Sequence, residues 1–347
     1  MEKVKFGIIG TGMIAQMHAD ALHLAENAEL VIVYDTVVER AEKFAAANNC
    51  AFASDFDKFL ASPIDAVTVA VPSGIHGEAA VAAAQAKKHI LCEKPLEVTI
   101  SKTEALIKAC NDNKVLLSPV AQLRYGETVQ IVKKAIAEGR FGTPVLASAS
   151  VRWYRTPEYY LNGKWRGTWE LDGGGALMNQ AIHMIDLLIY INGAPEEVFA
   201  FSGTLTHSIE VEDNLCATVK YRNGSFGTIE VSPSCAPGFP RRLEFSGSTG
   251  SVAFGDSTIT RWEFADSRPE DEIIRQELEH PADAGGGSAP MNINANGHRS
   301  QISDLADAII NGTPLFLDGK EGRRAIELIS GIYESARTGK PYFFRRG

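Results

Sequence analysis

An amide, an imidazole and a carboxylate recur at short spacing in Gly173-Gly174-Gly175-Ala176-Leu177-Met178-Asn179-Gln180-Ala181-Ile182-His183-Met184-Ile185-Asp186. Asn179 and His183 lie four apart, and Asp186 lies three beyond His183. On one α-helix all three would share a face. The neighbours Leu177, Met184, Leu187 and Leu188 are apolar enough to bury that helix. Polar groups on such a stripe are costly unless each has a partner. A core histidine hydrogen-bonded to a local aspartate is the plain alternative. A second reactive group comes earlier: Lys94, between Glu93 and Pro95, directly after the strand-like His89-Ile90-Leu91-Cys92. Proline restricts the residue before it to extended backbone, which fixes the direction of the turn. The amine is then expected to point into a cleft, where neighbours tune its pKa. Imidazole, with a reference pKa of about 6.5, suits proton transfer near neutral pH. A lysine ammonium can hydrogen-bond the same oxygen and stabilise its developing charge. The histidines and acids lack metal-ligand spacing, so no metal is expected.

The elements that must position these groups begin at the N-terminus. Val4–Ile9 reads as a buried strand, followed by Gly10-Thr11-Gly12-Met13-Ile14-Ala15 and a helical pattern. In this G-x-G-x-x-A, Gly10 permits the tight turn and Gly12 lets backbone approach a pyrophosphate. Small Ala15 allows close helix–strand packing. The helix N-terminus offers N–H groups and a positive dipole end to phosphates. A second strand, Leu30–Tyr34, ends in Asp35, 25 residues after Gly10. An acid there accepts from a ribose 2′-OH and repels a 2′-phosphate, which favours NAD over NADP. Its other reading is a cap for the Val37–Asn48 helix. Strands then alternate with helices through Ala66–Val71, His89–Cys92 and Val115–Val120, with Thr99 placed to cap a helix to about Asn113. Such alternation implies a parallel sheet with ligands at the strands' carboxyl ends. Pro72, Ser73, His76, Glu93, Lys94 and Gln122 all follow strand ends, so they are expected along one cofactor-binding rim.

Length, charge and cysteines bound the rest. At 347 residues two domains are the prior. A net charge of −9 without a Lys/Arg block argues against nucleic acid or anionic membrane as main partners. Five scattered cysteines without a CxxC fit a reducing compartment. Strand-like sequence from the first residues leaves no room for a signal peptide, and no apolar run reaches membrane-span length, so a cytoplasmic location is expected.

Together, Gly10-Thr11-Gly12, Pro72-Ser73-x-x-His76, Glu93-Lys94-Pro95 and Gly173-Gly174-Gly175…His183-x-x-Asp186 resemble the Gfo/Idh/MocA family (glucose–fructose oxidoreductase, inositol 2-dehydrogenase and their kin). The likeness extends to His298…Gln301-x-x-Asp304 and to Gly319-x-Glu321-Gly322-Arg323 near the end. The resemblance implies an α/β protein: an N-terminal Rossmann parallel sheet, expected over 1–122, then an α/β domain with an open, mainly antiparallel sheet over 123–347. Tail helices near 300–338 would pack back toward the Rossmann domain. Members mostly transfer hydride between NAD(P) and a secondary hydroxyl of a sugar, cyclitol or nucleotide-sugar. Lys94 then matches the lysine that contacts the reacting hydroxyl, and His183 the catalytic histidine. Inositol dehydrogenases carry Asp where this chain has Asn179, which cannot take a proton and would position substrate instead. Trp153-Tyr154 and Trp165-Arg166-Gly167-Thr168-Trp169 look most like members near the nucleotide-sugar 3-dehydrogenases.

In the second half, strand-like runs at Asn214–Tyr221, Ser225–Val231, Arg242–Ser246 and Ser251–Phe254 suggest a meander with one face free for a homodimer or homotetramer. Cofactor contacts are expected from Gly10, Thr11, Gly12, Met13, Ile14 and Asp35, from the rim residues, and from Trp165 and Arg166. Substrate contacts are expected from Lys94, Arg124, Arg152, Tyr154, Asn179 and His183, with Asp186 orienting the imidazole. Arg124, Arg152 and Arg155 could hold a carboxylate or phosphate, or pair with the protein's own acids. The glycine-rich Ala284–Pro290 reads as a loop beside the site, or as a plain linker. Two other functions share these motifs: glycoside cleavage through transient oxidation with tightly held NAD, and a non-catalytic nucleotide sensor. Intact Lys94 and His183 argue against the sensor.

Overall fold

The computed structural model describes residues 3–161, 165–255, 258–279 and 295–345, so Ala284–Pro290 lies outside the described residues. The chain divides into two compact units, 1–122 with 293–326 and 123–292 with 327–347.

In the first unit, strands β1 (Val4–Ile9), β2 (Ala28–Tyr34), β3 (Ala51–Ala53), β4 (Ala66–Val69), β5 (His89–Cys92) and β6 (Leu117–Pro119) form one parallel sheet in the order β3-β2-β1-β4-β5-β6. Helices α1 (Met13–Leu24), α2 (Val38–Asn48), α3 (Phe56–Leu60), α4 (His76–Gln85) and α5 (Ile100–Asn113) alternate with the strands. Thr99 caps α5, its hydroxyl accepting the Lys102 N–H at 3.2 Å. Chain order reverses between β1 and β4, where open α/β sheets form a crevice at their carboxyl ends. One core lies under α1 and gathers Phe6, Ile8, Leu22 and Val33. Ala15 and Ala19 are fully buried there, so small side chains let α1 seat close to the sheet. The opposite core gathers Phe59, Val67, Val69, Ile90 and Leu106. Ile302, Leu305 and Ala306 of a later helix join the α1 core, which is why the segment 293–326 belongs to this unit.

The second unit opens with α6 (Glu127–Ala137), β7 (Pro144–Arg152), α7 (Pro157–Leu161) and α8 (Ile182–Asn192). Strands β8 (Pro195–Gly203), β9 (Asn214–Tyr221), β10 (Phe226–Ser232), β11 (Arg242–Gly247), β12 (Gly250–Gly255) and β13 (Thr258–Phe264) precede α9 (Pro269–Glu279). The chain ends with α10 (Asn296–Asn311), α11 (Gly319–Thr338) and β14 (Tyr342–Phe343). Its eight-stranded sheet runs β13-β12-β11-β7-β10-β9-β8-β14, with β7 and β10 parallel and the other pairs antiparallel. Burial alternates residue by residue along β9 and β10, as expected when one face is covered. Helix α8 is apolar nearly all round and packs over β7 and β11.

Candidate active site

The nucleotide-type turn comes first. Gly10 sits at φ +91°, and a Cβ there would meet the Ala70 carbonyl at 2.7 Å, so glycine is required. A Cβ on Gly12 would meet nothing within 4 Å, so the approach to the α1 N-terminus is open. Met13 is exposed and Ile14 half-buried at that end. Asp35 accepts the Thr11 N–H (3.0 Å), the Thr11 hydroxyl (2.9 Å) and the Val37 N–H (2.9 Å). Burial works against its ionisation, yet the bonds from Val37 and Thr11 prevail and hold the carboxyl below its ordinary range. Asp35 thus ties the end of β2 to the glycine turn, and the cap of α2 is Val37, without a side-chain cap bond.

At the next strand exits the rim residues divide. Ser73 opens a single 3₁₀ turn after Pro72 and is buried. His76 is 1% exposed, with Nδ1 2.7 Å from the Pro95 carbonyl and Nε2 3.0 Å from that of Val71. His76, expected at the cofactor, lies between the turns after β4 and β5, where a neutral ring donates to one of these two carbonyls. Glu93, expected on the same rim, is also engaged by protein groups. Its Oε2 accepts the Lys94 N–H (2.9 Å), while Oε1 lies 2.9 Å from His18 Nε2 and 3.6 Å from His298 Nε2. Burial alone would raise the Glu93 carboxyl; His18 and His298 more than offset it and hold it well below the usual range. Lys94 is half-buried in the turn that follows, and its peptide bond to Pro95 is cis. Gln122 is buried against Gly297 of α10. No spacing pattern could have flagged His18, Glu93 and His298 as a group; only folding brings positions so distant in sequence together.

In the second unit the three glycines serve the protein's own packing. A Cβ on Gly175 would meet the Glu212 carbonyl at 1.8 Å, and one on Gly174 would meet the Tyr333 hydroxyl at 2.2 Å. Glu212 accepts the Gly175 N–H (2.9 Å), the Leu177 N–H (2.9 Å) and the Tyr333 hydroxyl (3.0 Å). Burial dominates here and pushes its carboxyl up to about 7, the hydrogen bonds offsetting only part. The expected single helix is broken: Ala176–Gln180 forms a π turn, closed by Ala181 N–H to the Ala176 carbonyl (3.0 Å), and α8 starts at Ile182. Asn179 and His183 are therefore not one α-helical turn apart, and π turns of this kind often mark functional sites. Asn179 Nδ2 donates to Asp172 (2.5 Å), whose other oxygen accepts the Gly167 N–H (2.9 Å). His183 is half-buried on the first turn of α8.

Asp186 is engaged by an arginine. Arg124 grips it with two arms, Nε at 2.8 Å and Nη2 at 2.6 Å, and both side chains are buried. The Arg124 guanidinium also lies over the Tyr190 ring. A buried two-armed pair of this kind is the pairing with the protein's own acids that the sequence left open for Arg124. The other arginines form a patch with aromatic rings. Arg152 lies over Phe239 (4.7 Å), Arg155 over Trp153 (4.8 Å) and Tyr159 (5.5 Å), and Arg166 over Tyr159 (4.8 Å) and Trp165 (5.1 Å). Burial lowers the pKa of Arg155. Arg152 Nε, Trp153 Nε1 and Tyr160 Oη are buried donors with no hydrogen-bond partner among the described residues. Tyr154, 37% exposed, pairs by its backbone with Ser234.

Residues 4–120 match the model of an oxidoreductase family with an NAD-binding Rossmann fold, and residues 129–253 that of the GFO/IDH/MocA C-terminal domain. The chain is 28% identical over 263 residues to the myo-inositol 2-dehydrogenase of Thermotoga maritima, covering 73% of this chain and 75% of the relative. Among solved structures it is similar to the WlbA dehydrogenase from Bordetella pertussis in complex with NADH and UDP-GlcNAcA: 33% identity, all of both chains, TM-score 0.88. It is also similar to the Chromobacterium violaceum WlbA dehydrogenase in complex with the same two ligands: 31% identity, 100% of this chain and 97% of that one, TM-score 0.90. With both halves matched and likeness over its full length, the chain belongs to the Gfo/Idh/MocA family of oxidoreductases.

Proposed function

We propose that this protein oxidises a secondary hydroxyl of an anionic nucleotide-sugar, with NAD as its cofactor. The observation that carries the substrate class is the arginine–aromatic patch: buried donors on Arg152, Trp153 and Tyr160 without acceptors among the described residues. Cations and π faces of this kind suit carboxylates, phosphates and a base. The two WlbA structures, at 31–33% identity, hold a sugar of that class. Tyr154, Trp165 and Arg166 are read as part of the same binding surface.

The turn after β1 fits a dinucleotide. Gly12 leaves the α1 N-terminus open, and the ionised Asp35 puts negative charge where a 2′-phosphate would sit. Bound there, NAD supplies the hydride acceptor. We assign His183 to take the hydroxyl proton on its imidazole and Lys94 to hydrogen-bond the same oxygen as it becomes an alkoxide. Asn179, an amide that carries no proton, positions the sugar. These residues come from different units, so their joint action rests on the family resemblance. Asp35→Asn should improve NADP over NAD use by roughly tenfold, because one charge repulsion is removed; unchanged selectivity would take Asp35 out of the recognition. Exposed Leu146, Phe201 and Phe226 on the second sheet support a homo-oligomer through that face, which light scattering would decide. Five free cysteines support a reducing, cytoplasmic setting.

The test is NADH formation with UDP-GlcNAcA, UDP-GlcNAc and myo-inositol side by side, preceded by mass spectrometry of small molecules retained on the purified protein. UDP-GlcNAcA should react fastest. Activity confined to myo-inositol would sink the nucleotide-sugar reading, and free sugar without NADH would point to glycoside cleavage.

A further inference from the structure

The segment Glu210-Val211-Glu212 lies just before β9, and the proposed chemistry assigns it nothing. Glu212 is 4% exposed and reaches 35 to 37 positions back along the chain. Its carboxyl accepts the Gly175 and Leu177 N–H groups, and its carbonyl accepts the Ala176 N–H at 3.1 Å. Three successive N–H groups at the start of the π turn therefore end on one residue, as in a backbone nest built around an anion. A second route leads back to the same segment. The Asn179 N–H donates to the Gly175 carbonyl (2.9 Å), and its side chain donates to Asp172 (2.5 Å). Asp172 also accepts the Gly167 N–H (2.9 Å), and the Gly167 carbonyl accepts the Glu210 N–H (3.0 Å). Asn179 thus lies on a circuit of hydrogen bonds that starts at Glu210 and ends at Glu212.

We propose that Glu212 is a positioning residue for the second unit's reacting groups. By gathering the N–H groups of 175–177 it sets where the π turn presents Asn179 and where α8 begins beneath His183. The inference rests on the roles given above to Asn179 and His183. Helix starts leave N–H groups that need acceptors, and among the described residues this turn has no side-chain cap bond of its own. Glu212 supplies those acceptors from a distant stretch of chain. The turn passes its register onward through the Ala181 N–H on the Ala176 carbonyl (3.0 Å) and the Met184 N–H on the Ala181 carbonyl (2.8 Å). On the other side Tyr333 of α11 donates to the same carboxyl, so the carboxyl is itself held in place.

The test pairs a readout without substrate with turnover. Hydrogen–deuterium exchange in the full-length protein is followed by mass spectrometry over residues 174–181. Glu212→Ala removes both carboxyl acceptors, so exchange there should rise roughly tenfold or more while peptides of β1 and β2 keep the wild-type rate. In steady-state NADH formation with UDP-GlcNAcA, kcat should fall roughly 10–100-fold with KM for NAD unchanged, because the reacting groups are displaced. Glu212→Gln keeps one acceptor oxygen, so it should recover part of both losses, and it decides the matter if Glu212→Ala does not fold. Wild-type exchange over 174–181 would overturn the proposal, as would wild-type kcat in a variant whose turn exchanges fast. An equal loss of protection across the whole second unit would also overturn it, since Glu212 would then hold the unit rather than the turn. If the wild-type protein forms no NADH from any sugar tested, the roles of Asn179 and His183 fail, and exchange still decides whether Glu212 holds the turn.

Discussion

Two buried glutamates, one in each unit, solve the same problem in opposite ways. Glu93 and Glu212 both accept backbone N–H groups from a turn that carries a proposed catalytic residue. Glu93 also faces two imidazoles and is held well below the ordinary carboxyl range. Among the described residues Glu212 is bonded by peptide N–H groups and a phenol, and burial lifts it to about 7. Partners that can bear charge keep a buried carboxylate ionised, whereas dipoles alone leave it close to neutrality. The lysine turn is thus fixed by an ion, and the glycine turn by a group that titrates in the working range.

The largest expected effect lies at the ends of these two supports. Lys94→Ala and His183→Ala should each lower turnover by about 10²–10⁴ in steady-state assays. Wild-type turnover in either variant would remove that residue from the proposed chemistry. Next comes Gly175→Ala, whose Cβ must displace the Glu212 backbone; overpacking of this kind costs roughly 3 kcal/mol. A denaturation midpoint equal to wild type would show that the glycine turn is looser than its contacts indicate.

The contrast in titration gives a smaller effect with a definite sign. The folded-state pKa of Glu212 is raised to about 7 from 4.5. Its favourable contribution is therefore complete below about pH 4.5 and is lost as pH rises through 7. Glu212→Gln, which cannot ionise, should gain stability relative to wild type between pH 5 and 8, by on the order of 2 kcal/mol. A flat difference across that range would make Glu212 as strongly ionised as Glu93. Tyr333→Phe should do least, about 1 kcal/mol, by removing one donor. Without the phenol, the Glu212 transition should move to higher pH in the same melts.

These regions also show what a sequence can disclose. Local chemistry was legible: the glycine turn, Asp35 at the end of β2, the Thr99 cap, and Lys94 at a strand exit depend on a few adjacent residues. The parallel sheet followed from strand and helix periods, and the mainly antiparallel one from strand periods and the family motifs. Partner choice was not legible, because it is made across long stretches of chain. Nothing near Gly174 or Gly175 announces Glu212 or Tyr333, whose backbone carbonyl and phenol fill the space beside these glycines. Arg124 and Asp186 looked like separate functional groups until folding paired them. The carbonyls beside the His76 ring belong to the backbone, which sequence does not distinguish. The π turn before α8 escaped for a related reason: its apolar spacing is as good as that of an α-helix.

The measurement that bears most directly on the account is the fate of a carbon-bound deuterium. UDP-GlcNAcA deuterated at its ring carbons is incubated with the protein and NAD⁺, and the NADH is weighed by mass spectrometry. The account predicts one deuterium per NADH, carried from the carbon whose hydroxyl His183 deprotonates. NADH without the label, or free sugar with no net NADH, would contradict it.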